Sequence, residues 1–248
     1  MATKTAKTAV ERGILTGKTA VITGANRGVG KAIAEAFARA GACAICVVRD
    51  RGQGEPIVSQ LKADGWKSDI GVADISNPAQ IAVLALDLAQ RHPAIDIVVN
   101  NAGIFLDEDR RMRPSHFDPL VLERTLAVNL YGAIEMCDAF IPHMPDGGRI
   151  INVSSTMGQL SGDSDGSGPA YSISKVALNM YTQCLAADLR PRRIMVDSFH
   201  PGWVKTAMGG PNANVEPEEA AQTALFLATR PPSTETGLFW RGKEIIEW

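Results

Sequence analysis

Several things are scarce in this chain. Only four cysteines and four histidines occur among its 248 residues. Neither sign of charge prevails: 25 Lys and Arg face 27 Asp and Glu, a formal net charge of -2. No stretch approaches the roughly 18 consecutive apolar residues of a membrane-spanning helix. Each scarcity excludes something. Balanced charge leaves no electrostatic footprint for nucleic acid or for an anionic membrane, so neither is expected as a partner. The histidines His92, His116, His143 and His200 are scattered and form no ligand motif. Cys43 and Cys46 make a C-x-x-C, but "ACAICVVRD" reads as a buried strand, where a three-residue step puts the two thiols on opposite faces. With no second pair at zinc spacing, no metal is expected. The opening "MATKTAKTAVERG" lacks the apolar core of a signal peptide. Residues 1–16 are therefore expected to be a disordered tail, and 17–248 a single domain of a cytoplasmic protein.

What is abundant is alternation. "KTAVIT", "CAICVV", "SDIGVAD", "IDIVVN", "GRIINVSS" and "IMVDSFHP" are short apolar runs. Between them stand helical patterns such as "GVGKAIAEAFARAG", "PAQIAVLALDLAQRH" and "AYSISKVALNMYTQCLAADLR". One long helix is expected over "PLVLERTLAVNLYGAIEMCDAFIPHM", and "GLFWRGKEIIEW" holds a short final strand. Near-continuous apolar strands alternating with helices imply a parallel sheet covered on both faces. The expected fold is α/β, a doubly wound Rossmann domain with a seven-stranded, mostly parallel sheet and right-handed crossovers.

The first strand runs into Thr23-Gly24-Ala25-Asn26-Arg27-Gly28-Val29-Gly30 and then the first helix. Glycines there allow positive φ and close approach of a phosphate, and the helix N-terminus that follows favours an anion. The spacing is G-x-x-x-G-x-G. Together with "NNAG" (100–103), "NVSS" (152–155), "YSISK" (171–175) and "PGWVKT" (201–206), it resembles the classical branch of the short-chain dehydrogenases/reductases from about Lys18 to about Ala207. "HPGWVKTAMGGPNANVEPEEAA" and the terminal "EIIEW" are similar to the carbonyl reductase subgroup.

The resemblance implies an NADP(H) cofactor held by Gly24, Asn26, Arg27, Gly28, Val29 and Gly30. Arg49, after the second strand, would join Arg27 on a 2′-phosphate through charge-assisted bonds. Asp50 argues the other way, since an acidic side chain there suits the free ribose of NAD. The family pattern further implies Asp74 and Ile75 at the adenine, and Asn101, Ala102 and Gly103 beside the ribose. Pro201 and Gly202 turn the chain after the sixth strand, Val204 offers backbone groups to the carboxamide, and Thr206 bonds it or the pyrophosphate.

For chemistry, Tyr171 and Lys175 lie one helical turn apart. An ammonium about 5 Å from a phenolate, at an effective dielectric near 20, attracts it by about 3 kcal/mol, enough to bring a phenol toward neutral pKa. Tyr171 is thus the expected proton donor to a carbonyl oxygen, and Lys175 also holds the cofactor's ribose. Ser155 would bind the substrate oxygen, with Ser154 the competing choice and the family register favouring Ser155. Asn129 matches the family's fourth catalytic position. Trp203 and Ser155 border the substrate pocket, whose other walls fall in 104–118, 156–169 and 203–215. The stretch "TAMGGPNANVEPEE" is expected to be a mobile lid.

The expected activity is NADPH-dependent reduction of a ketone or aldehyde. The alternatives are an NAD(P)-dependent secondary-alcohol dehydrogenase and a non-catalytic dinucleotide-binding sensor. Both a monomer and a homo-oligomer are compatible with the sequence.

Overall fold

Side-chain parity along the strands explains the architecture. In β2 (Cys43–Val48), Ala44, Cys46 and Val48 join one apolar core while Ile45 and Val47 join another. In β1 (Thr19–Thr23), Ala20 and Ile22 share the first core and Val21 the second. A strand whose two faces are both apolar must be covered twice, and here helices cover it on each side. The computed structural model describes residues 13–162 and 164–248.

The sheet is completed by β3 (Ser68–Val72), β4 (Ile97–Asn100), β5 (Arg149–Val153), β6 (Met195–Phe199), β7 (Phe239–Arg241) and β8 (Glu244–Ile246). The strand order is β3-β2-β1-β4-β5-β6-β7-β8, parallel except for the antiparallel β7–β8 pair. The sheet has eight strands where the sequence suggests seven. The extra one arises because Gly242, at φ +61, turns the chain back so that Arg241 pairs with Glu244.

Helix α1 (Gly28–Arg39) carries Ala32, Ile33, Ala34, Phe37 and Ala38 into the first core. Helices α2 (Arg51–Ala63) and α3 (Pro78–Arg91) follow β2 and β3, and Asn77 caps α3 through the Gln80 N–H. After β4 comes α4 (Asp107–Arg111), a five-residue helix inside the stretch 104–118 expected to wall the substrate pocket. The single long helix expected from sequence is in fact α5 (Pro119–Leu126), a π-helical turn over Ala127–Tyr131, and α6 (Gly132–Phe140). Then come α7 (Pro169–Asp188) and α8 (Pro217–Thr229), the latter packed on α1.

Of the expected N-terminal tail, residues 1–12 lie outside the described residues. Residues 13–16 belong to a turn docked on the domain: Leu15 is buried and its N–H donates to Ala40 O at 2.8 Å. No helix among the described residues is long and apolar enough to cross a membrane.

The order 3-2-1-4-5-6 means that the chain leaves β1 and β4 toward opposite flanks. A crevice opens there, at the carboxyl ends of the strands, as it does in open α/β sheets generally.

Candidate active site

That crevice is a cleft of about 880 Å³ running from the glycine turn to α7. At its cofactor end, Gly24 and Gly28 have φ of +65 and +54. Gly30 is required by space: an added Cβ would lie 2.4 Å from both Gly24 O and Asn101 Nδ2. Thr23, fully buried, stitches two strand ends together. Its hydroxyl donates to Val99 O at 3.3 Å and accepts the N–H groups of Asn101 and Ala102 at 3.0 Å each. Asn101 borders the cleft, but its side-chain amide is committed to Thr23 O at 2.8 Å. It supports the glycine turn, and only its remaining groups are open to a ligand. Asn26 reaches Gln53 at 3.4 Å.

Both Arg27 and Arg49 are exposed and line the cleft. Asp50 is turned away: its carboxylate caps α2 by accepting the Gly52 N–H at 2.8 Å. Helix capping thus occupies the Asp50 carboxylate, a demand that an Asp at this position meets well. Asp74 accepts from Ser76 N and Oγ at 2.9 and 2.7 Å, and these bonds, with the charge of Arg49, hold its carboxyl below the usual range. Ile75 and Gly103 line the cleft beside it. Val29, Ala102, Pro201, Gly202 and Val204 complete the wall. The Thr206 methyl sits against Gly28, where a Cβ would approach it to 3.0 Å, so the two loops face each other across the crevice.

The cofactor expected from sequence fits this end of the cleft. The α1 N-terminus has no side-chain cap and no acidic residue in its first turn, which leaves its N–H groups open to an anion. Two arginines, Arg27 and Arg49, stand at the far end, and Asp50 is not among the residues that line the cleft.

At the other end, four side chains expected together come together. Tyr171 and Lys175 are buried on α7, and the Lys175 Nζ lies 5.5 Å from the Tyr171 ring centroid. Ser155 follows β5 and borders the cleft together with Tyr171. Its hydroxyl oxygen accepts the Met157 N–H at 3.1 Å, which fixes its direction. Ser154 is also buried but has no hydrogen-bond partner among the described residues. Lys175 donates to Val153 O at 2.8 Å. Asn129 occupies the π-helical turn, where its amide accepts from Ile104 N at 2.8 Å and donates to Ile104 O and Ser174 Oγ, both at 3.0 Å. Extra-wide turns of this kind recur at functional sites.

The electrostatics depart from the simple expectation. Burial pushes the Tyr171 phenol up to about 12, with Ser155 and Arg110 pulling against it. Burial also brings Lys175 down to about 8. Desolvation by burial is thus the largest cause of both shifts, and it drives the phenol away from neutral pH rather than toward it. Tyr171 keeps its proton at neutral pH, and Lys175 is close to its titration point. His200, held at about 4 by burial, is neutral, and its Nδ1 accepts the Thr156 N–H at 3.3 Å.

The substrate walls are apolar and aromatic. Phe105 stacks on Tyr171 with ring centroids 4.6 Å apart. Met157, Met208 and Trp203 line the same space. Trp203 is half exposed and anchored by its Nε1–H to Gly209 O at 2.8 Å. The segment expected as a lid folds back on itself, Val215 N donating to Trp203 O and Lys205 N to Val215 O.

Residues 18–216 match the family description "short chain dehydrogenase". The chain belongs to that family. Among short-chain dehydrogenase relatives, carbonyl reductase (NADPH) 1 of Oryctolagus cuniculus is 31% identical, covering 93% of this chain and 98% of its own. A short chain dehydrogenase from Burkholderia cenocepacia J2315, solved in complex with NADP, superposes with a TM-score of 0.82 at 28% identity, covering 92% of this chain and 98% of its own. The landomycin C-6 ketoreductase, solved with bound NADP and rabelomycin, gives 0.81 at 31%, covering 94% and 97%.

Sequence reasoning about this family member missed four residues that build the site: Thr23, Phe105, Asp109 and His200. Thr23 and His200 adjoin recognised motifs and were legible by position. Phe105 and Asp109 lie in a stretch too short for periodicity to show which faces inward.

Proposed function

We propose that this chain reduces a ketone or aldehyde to an alcohol, with NADPH as the reductant and Tyr171 as the proton donor. The observation that carries the reading is the convergence of Ser155, Tyr171 and Lys175 on one end of a cleft whose other end is shaped for a dinucleotide. Gly24, Gly28 and the α1 N-terminus would hold the pyrophosphate, Arg27 and Arg49 the 2′-phosphate, Asp74 and Ile75 the adenine, and Val204 and Thr206 the carboxamide side. When bound, the nicotinamide supplies the hydride.

The side chains do the rest. Ser155 and Tyr171 both face the cleft, so a carbonyl oxygen placed between them would meet two hydroxyl donors. Ser155 stabilises charge that develops on that oxygen. Tyr171, neutral at pH 7, gives up its proton to it. The phenolate left behind is stabilised by the Lys175 ammonium across the buried gap. Asn129 holds the Ile104 segment against Ser174, one residue from Lys175. Phe105, Met157 and Met208 exclude water from the reacting oxygen and favour a substrate with an apolar body.

The test is an assay of NADPH oxidation with aldehydes, quinones, ketosteroids and monoterpene ketones, repeated with NADH. Carbonyl-dependent oxidation of NADPH in preference to NADH is expected. No carbonyl-dependent turnover with either cofactor across the panel would contradict the reading.

A further inference from the structure

The helix that carries Tyr171 starts in an unusual way. Its N-cap residue, Gly168, has φ +54 and no side chain to offer. Pro169 has no N–H, so Ala170 and Tyr171 present the first donors that need acceptors. Both find the same carboxylate, contributed from 61 and 62 residues earlier: Asp109 Oδ1 accepts from Ala170 N at 3.0 Å and Oδ2 from Tyr171 N at 2.8 Å. Asp109 is completely buried, and no cation lies within ion-pair distance of it among the described residues. A buried carboxylate is costly, and the helix N-terminus is what offsets it here. An ordinary surface cap meets the same need without that cost.

The placement has a consequence for the site. Asp109 lies in α4, four residues after Phe105, whose ring lies on Tyr171 at an interplanar angle of 20°. Gly168 is what lets the ring in, since a Cβ there would stand 2.6 Å from Phe105 Cζ. Arg110, the next residue, turns outward. Its guanidinium covers the other face of the stack, 4.0 Å from the Phe105 centroid, and donates to Met208 O at 2.7 Å on the opposite wall. One dipeptide therefore grips the start of the proton donor's helix with one side chain and the far wall of the cleft with the other.

We propose that Asp109 is a positioning residue for Tyr171, fixing the phenol between Phe105 and Ser155 through the backbone N–H groups of Ala170 and Tyr171. This rests on the reading of Tyr171 as proton donor. Asp109→Asn keeps the shape and removes an acceptor, and Asp109→Ser keeps one short acceptor should the first variant fold poorly. A misplaced donor lowers kcat by about tenfold or more while the KM for NADPH stays within about twofold. A second readout is independent of turnover. The Tyr171 ring resonance, in protein labelled at its three tyrosines, is shifted by the Phe105 stack. It is expected to move toward the free-tyrosine position in both variants. Wild-type kcat and an unmoved resonance, with only a lower melting temperature, would reduce Asp109 to a helix cap and overturn the proposal. Should the wild-type protein reduce no carbonyl, the functional reading fails by itself, and the resonance still decides whether Asp109 positions the ring.

Discussion

The two ends of the cleft are built differently. The dinucleotide end is made mainly from backbone: glycines at positive φ and a helix N-terminus, flanked by Arg27 in the turn and Arg49 after β2, with Thr23 tying the turn to the end of β4. The substrate end is made from distant partners, Asp109 to Tyr171 and Arg110 to Met208. The first tolerates little change because backbone must approach a ligand. The second is a set of side-chain clasps between loops, free to vary so long as each clasp closes. A cofactor common to many reactions suits the rigid end, and a substrate peculiar to one enzyme suits the adaptable end.

Substitutions can break this comparison, and the largest effect on NADPH binding is expected at the rigid end. Gly30→Ala would force a Cβ to 2.4 Å from Gly24 O, so the turn must move. NADPH affinity is expected to fall by about a hundredfold and thermal stability to drop, both measurable by titration and melting. Retained affinity would mean that the turn is more pliable than its geometry implies.

The next effect is a pH dependence set by the substrate end. Tyr171 is raised to about 12 and Lys175 lowered to about 8. Reduction needs Tyr171 protonated and Lys175 charged. Its kcat/KM should therefore fall as pH rises through about 8, where Lys175 loses its charge, well before the phenol ionises. Lys175→Arg, always charged, should carry the plateau to higher pH at a lower rate. An alkaline limb unchanged by that substitution would assign the limb to another group.

A smaller effect is expected at Arg49, which is solvent-exposed. Arg49→Ala should cut the preference for NADPH over NADH by about tenfold, compared as kcat/KM with one carbonyl substrate. Smallest is Trp203→Ala at the adaptable end. Trp203 is half exposed, and its loss should raise the substrate KM about threefold with NADPH binding unchanged.

The same contrast explains what the sequence made legible. The glycine turn, the Tyr171–Lys175 spacing and the strand alternation are local patterns with a fixed period, and each is found where it was expected. The π-helical turn was hidden because Asn129 is held by Ile104, 25 residues away. Strand β8 was hidden because one glycine at positive φ decides whether "GLFWRGKEIIEW" makes one strand or a hairpin. The competition between Arg49 and Asp50 was open in sequence although the cap is local, Asp50 reaching only two residues on to the Gly52 N–H, because the start of α2 was not read from the sequence. The depth of burial around Tyr171 was invisible too, and it reverses the direction in which the phenol is pushed.

The most direct test of the account is Tyr171→Phe, which removes one oxygen and leaves the Phe105 stack. NADPH binding should stay within about twofold of wild type, while carbonyl reduction falls by about a thousandfold. Reduction at the wild-type rate would contradict the assignment of Tyr171 as the proton donor.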